Sequence, residues 1–158
     1  MNTDPAEMVN GQLRTLKIIV LALALGVLTF IAVVLIQRQG GAAPAAQISD
    51  MITMMGYVML AMSIVLQPVI LPLIDAQIRR QSNQAEPSKW LISAYAARTI
   101  TGCALIEGAS FMCIVGAMMD GQPWGLLAGG LGAAAMIGLH FPSVAKFEAY
   151  AERQANKV

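Results

Sequence analysis

The sequence predicts an all-α, polytopic membrane protein, a four-helix transmembrane bundle forming one integral membrane domain. Three observations predict it. Hydrophobic residues make up 57% of the 158 residues and charged residues 12%, about half the charge of a typical water-soluble domain. Mean hydropathy is +0.64. The apolar residues also collect into four stretches, each near the roughly 20 residues that cross a bilayer as a helix. Those stretches fill most of the chain and leave no room for a soluble catalytic domain. A net charge of +1 provides no basic face for nucleic acid.

The first span is expected over 18–36, a run rich in Leu, Val and Ile without a charge. Asp4, Pro5 and Glu7 ahead of it read as an N-cap, a proline at N1 and an acid at N3, so a helix starts near Pro5 and leads into the span. A cleaved signal peptide is the rival reading, with Ala43-Pro44-Ala45 as the cleavage site. The apolar run is longer than a signal core of about 7–15 residues, and Asp4 and Glu7 occupy what would be its positive region.

The second span is expected over 51–74, with a kink where Gln67, Pro68 and Pro72 fall. Met54, Met55, Met59 and Met62 within it read as adaptable packing against lipid or helices. The third span is expected over 99–119, preceded by Trp90, Tyr95 and Arg98, which suit a headgroup layer. The fourth, over 124–141, is short and glycine-rich. Asp120-Gly121-Gln122-Pro123 is a turn signal, so spans three and four form a tight antiparallel hairpin.

Every lysine and arginine except Arg38 falls before span one, between spans two and three, or after span four. This bias places both termini and the 75–89 loop in the cytoplasm and makes the chain a multi-pass protein of the cell (inner or plasma) membrane. In the 142–158 tail, Val144, Phe147 and Ala151 form one helical stripe. The tail reads equally as a helix on the membrane surface or as a frayed end. Spans one and three run in the same direction, and Ala22-Leu23-Ala24-Leu25-Gly26 aligns with Ala104-Leu105-Ile106-Glu107-Gly108. The alignment suggests two tandem helical hairpins.

Glu107 is the one acid inside an expected span. A charge at the bilayer centre costs roughly 2.5–3.5 kcal/mol on insertion scales. Glu107 lies about 12 Å from the cytoplasmic edge, and Gln67, on the antiparallel span two, about 10 Å from the same edge. Equal depth makes Gln67 the expected partner, because an amide both accepts from and donates to a carboxyl. Cys103 and Ser110 share the helical face of Glu107, whereas Arg98 lies on the opposite side. A proton- or cation-binding group of Glu107, Gln67 and Ser110 is one reading. A buried acid that fixes helix register is the other.

The order Gln84-Ala85-Glu86-Pro87, then Arg98-Thr99, then Ala104-Leu105-Ile106-Glu107-Gly108 resembles the polar loop and carboxylate helix of the F- and V-type ATPase ring proteolipids. The resemblance covers about 30 residues and implies that Glu107 is a rotor carboxylate. Two departures stand beside it. Span two has only Gly56 where the family's partner helix is dense in glycine, and the acid falls in the third helix rather than the fourth, where the tandem form carries it.

Small residues four apart allow close helix packing. Span four carries Gly125 and Gly129, then Gly130, Ala134 and Gly138, and span three carries Ala109, Cys113 and Ala117. These serve the hairpin or an interface with another copy or another membrane subunit. Cys103 and Cys113 sit about 15 Å apart along one helix and cannot bridge. A single histidine excludes a two-histidine zinc motif, and there is neither a phosphate-binding glycine loop nor a nucleophile elbow. The expectation is a small non-enzymatic membrane protein with no cofactor and no metal. It would be an assembly or accessory component of a membrane complex, with the lipid bilayer as its surroundings. The alternative is a proton- or cation-handling protein using Glu107.

Overall fold

The computed structural model describes residues 5–39, 49–81, 87–120 and 123–156. Among them are five helices: α1 (Pro5–Gln39), α2 (Ser49–Gln81), α3 (Pro87–Asp120), α4 (Trp124–His140) and α5 (Val144–Ala155). Three of them, α1, α2 and α3, are long and apolar enough to cross a membrane, and the number is four if α4 and α5, bent by 64° at their junction, count as one broken span.

Helix α1 starts at Pro5 and runs unbroken through the first span. Its Asp4 cap, like the Ala43-Pro44-Ala45 segment, lies outside the described residues. Helix α2 continues through Pro68 and Pro72. Each proline lacks the N–H that would close a helical turn, so the carbonyls of Ile64 and Pro68 are left without their usual partners. The polar 75–89 loop is shorter than expected, because α2 runs on to Gln81 and α3 begins at Pro87. Gln84, Ala85 and Glu86 lie outside the described residues, as do Gly121 and Gln122 of the hairpin turn.

Helix α3 is the centre of the molecule. Half of its most apolar stretch is buried, against 11% for α2. It packs on α1, α2 and α4, while α1 and α2 barely touch each other. The chain therefore packs as α2 on α3 and α3 on α4, and the first of the two expected hairpins, α1 with α2, does not close. The methionines of α2 explain part of this, since Met54, Met55, Met59 and Met62 all project outward.

The main core joins Val20, Ala24, Val27 and Val34 of α1, Cys103, Ile106, Ile114 and Ala117 of α3, and Leu126, Ala133 and Met136 of α4. Lipid tails are as apolar as these side chains, so close van der Waals packing rather than water exclusion holds such helices together. A second core gathers Leu13 and Leu16 of α1, Ala94 and Tyr95 of α3, and Tyr150 of α5. It brings the start of α1, the end of α2, the start of α3 and the tail to one end of the molecule. At the other end, the Arg38 guanidinium donates to the Ala117 carbonyl and ties α1 to α3.

The tail is a helix. Ser143 caps it by accepting from the Lys146 backbone N–H at 3.2 Å. The face that packs is rotated from the expected stripe: Tyr150 and Gln154 are buried, Phe147 packs against Tyr95, and Val144 is exposed.

Candidate functional site

Glu107 points toward α1. A side-chain carbon added at Gly26 would sit 3.8 Å from its Oε1. The carboxyl is half-buried in the seam between α1 and α3, and no hydrogen bond joins it to Gln67 among the described residues. Gln67 has a different partner. Its Oε1 lies 3.2 Å from His140 Nε2, at the end of α4. The ring of His140 fits because Gly102 of α3 has no side chain; a carbon there would fall 2.8 Å from His140 Nδ1. The Gln67 Nε2 is buried without a partner among the described residues. The expected Gln67–Glu107 pair does not form: Gly56 packs on Cys113 and Gly116 on Thr53, so Gln67 stands level with Gly102, about 7.5 Å along α3 from Glu107.

Ser110 turns away from Glu107 as well. Its hydroxyl donates to the Ile106 carbonyl at 2.8 Å, and its Cβ would lie 3.2 Å from any carbon added at Gly132. Glu107, Gln67 and Ser110 therefore face α1, α4 and α4 in turn, and do not converge on one site.

The small residues divide into two sets. A carbon at Gly125 would fall 2.7 Å from Ala117 Cβ, and one at Gly129 would fall 2.7 Å from the Ile114 side chain. These glycines, with Cys113, Ile114 and Ala117, are the α3–α4 interface, and Ala109 is buried on the stripe of α3 that carries Gly116, which packs against Thr53 of α2. Gly132 belongs with them. Gly130 instead faces Ile31 of α1, and Ala134 and Gly138 are exposed, with open space beside Gly138.

A polar cluster centred on Asp75 was not expected from the sequence. Asp75 of α2 is 6% exposed and accepts from three side chains. Arg98 Nη1 reaches its Oδ2 at 3.1 Å, Tyr150 donates to its Oδ1 at 2.9 Å, and Gln154 Nε2 reaches Oδ2 at 3.3 Å. The Arg98 guanidinium also lies 5.9 Å from the centre of the Tyr150 ring. This cluster ties α2, α3 and α5 together. Burial and the bond to Asp75 push the Tyr150 phenol well above its ordinary pKa. A sequence signal existed: Leu71, Asp75 and Ile78 lie on one stripe of α2, and Tyr150 and Gln154 are one turn apart.

Beside the cluster, Pro72, Arg98, His140, Lys146, Tyr150 and Arg153 line part of a cavity of about 420 Å³. Lys146 Nζ donates to the Gly138 and Leu139 carbonyls at the end of α4, both at 3.2 Å. Among the described residues no group of three or more His, Cys, Asp or Glu side chains could hold a metal ion.

No protein-family model, no curated protein and no solved structure matches this chain.

Proposed function

We propose that this is a small, non-enzymatic, multi-pass membrane protein that assembles with further membrane helices, a second copy of the chain being the simplest partner. One observation carries the reading: of the second small-residue set of α4, only Gly130 meets another helix of the chain, and Ala134 and Gly138 stay exposed. Gly125, Gly129 and Gly132 meet α3, while Ala134, about 180° around the helix from Gly125, is exposed together with Gly138 and Leu131. A helix with exposed small residues allows another backbone to come close. The apolar groove beside it, about 530 Å³ between Ile31 and Leu35 of α1 and Leu127 and Leu131 of α4, gives a second helix a place to lie.

The test is cysteine cross-linking in native membranes. Cys103 and Cys113 are both fully buried, so an added thiol reports alone. Ala134→Cys or Gly138→Cys is expected to give a product of twice the chain's mass, and Leu25→Cys, on the outer face of α1, none. A chain that stays monomeric at all three positions overturns the reading.

The expected orientation has both termini on the cytoplasmic side of the cell membrane. It is supported by Arg14, Lys17, Arg79, Arg80, Arg98, Lys146 and Arg153 belonging to the end of the molecule opposite Arg38.

A second reading, proton or cation handling by Glu107, rests on that carboxyl being half-buried at the α1–α3 seam without a hydrogen-bond partner among the described residues. Labelling by a carboxyl-specific carbodiimide, blocked by Na⁺, is the expected result. Unchanged cation or proton flux in Glu107→Gln liposomes overturns it.

A further inference from the structure

We propose that the cavity between the ends of α3 and α4 and the face of α5 binds a phosphate ester, with its phosphate held by Arg98, Lys146 and Arg153. The cavity lies at the junction of four helices, α2, α3, α4 and α5, at the 64° bend that carries α5 away from α4. At about 420 Å³ it falls within the usual range for small-ligand sites, about 300–1,000 Å³.

The charges are sorted toward it. Arg98 comes from α3, Lys146 and Arg153 from α5, and the His140 imidazole from α4. The acids of α5 point elsewhere: Glu148 and Glu152 lie about 200° and 240° around the helix from Lys146 and line no part of the cavity. Asp75, the one acid among the described residues that bonds to this group, already accepts from Arg98, Tyr150 and Gln154. Among the described residues one carboxylate therefore stands against three cations, of which Arg98 and Lys146 are held in place by hydrogen bonds.

The cations keep free donors. Arg98 commits one N–H to Asp75, and a guanidinium has five. Lys146 uses two donors on the α4 carbonyls, and an ammonium has three. Asp75 and the Tyr150 ring hold the guanidinium in place, so little side-chain freedom is lost when an anion arrives. Such preorganised, charge-assisted donors are what phosphate oxygens require. Pro72, Leu139 and Ala149 supply an apolar wall that suits the organic part of an ester better than a bare ion.

The phosphate could be carried by a lipid headgroup or arrive free in solution, and the experiment separates the two. Full-length protein is reconstituted in phosphatidylcholine nanodiscs and titrated in two arms, with phosphatidic acid in the bilayer or inorganic phosphate in the buffer. Saturable binding is expected, about tenfold weaker in Arg153→Gln and in Lys146→Gln, the effect of one lost charge-assisted hydrogen bond. Arg14→Gln, which removes a charge from the same end outside the cavity, leaves binding unchanged. Binding of phosphatidic acid alone assigns the site to a lipid, and binding of inorganic phosphate assigns it to a soluble ester. No saturable binding in either arm overturns the proposal. So does an equal loss in Arg14→Gln and Arg153→Gln, because diffuse surface attraction then accounts for it.

Discussion

Tyr150 donates its hydroxyl proton to Asp75 Oδ1 across 2.9 Å, joining the tail helix to the end of α2. The bond makes the tail part of the folded core, since Tyr150 also packs against Tyr95 at 5.6 Å between ring centres. It also keeps α5 over the basic cavity.

Removing the acceptor leaves three donors without a partner. Asp75→Ala is expected to lower stability by about 2–4 kcal/mol, reduced at the low end because Arg98 is partly exposed and can hydrate. Tyr150→Phe loses one bond and is expected to cost about 1 kcal/mol. Reversible unfolding by sodium dodecyl sulfate in mixed micelles measures both, and equal stability of Asp75→Ala and the parent would show that the cluster contributes nothing.

Stability should also fall in alkali. The Tyr150 phenol is held neutral in the folded protein by burial and by its bond to Asp75, whereas an unfolded tyrosine ionises near pH 10. A group with a raised folded pKa contributes in full below its unfolded pKa, and that contribution drains away as pH rises above about 10. Phenolate absorbance is the check. Tyr150→Phe should remove the most alkaline step in the titration of the folded protein and flatten the stability loss.

Two glycines of the spans should respond oppositely to alanine. A carbon at Gly56 would lie 2.7 Å from the backbone nitrogen of Cys113, whereas Gly108 has nothing within 4 Å. Gly56→Ala should push α2 off α3 and cost about 1–3 kcal/mol. Gly108→Ala should be neutral or stabilising by up to about 1 kcal/mol through helix propensity. Thermal unfolding in detergent compares them, and a neutral Gly56→Ala would mean that α2 does not lie against α3 as described.

The two thiols should be inert in the folded state. Cys103 and Cys113 are free and fully buried in the core around α3. A membrane-permeant maleimide should label neither until the protein is denatured, when it labels both. Rapid labelling of either in the native protein would contradict the packing of α3.

How much of this was legible differs from element to element. The start of α1 at Pro5, the apolar stretches and the α3–α4 hairpin follow from residue types in order. The extension of α2 past Ile74 did not, because Asp75, Arg79 and Arg80 look like the start of a loop when nothing shows that Asp75 has partners. The tail's stripe was visible because α5 is markedly amphipathic, yet its packed face is centred on Tyr150 and Gln154 rather than Val144. For the site the loss is larger. Gln67 meets His140 beside Gly102, and Glu107, five residues further along α3, meets Gly26.

Composition and spacing were enough to establish an all-helical chain with membrane-length apolar segments, because the length and oiliness of a segment are local properties. Which side of each helix meets which neighbour was settled by packing alone. The long helices are apolar nearly all the way round, and where lipid and protein interior are equally apolar, no hydrophobic stripe records the rotation. Contacts such as Gly56 on Cys113 and Gly102 on His140 fix that rotation. They thereby bring Asp75, Arg98 and Tyr150 together from three distant parts of the chain.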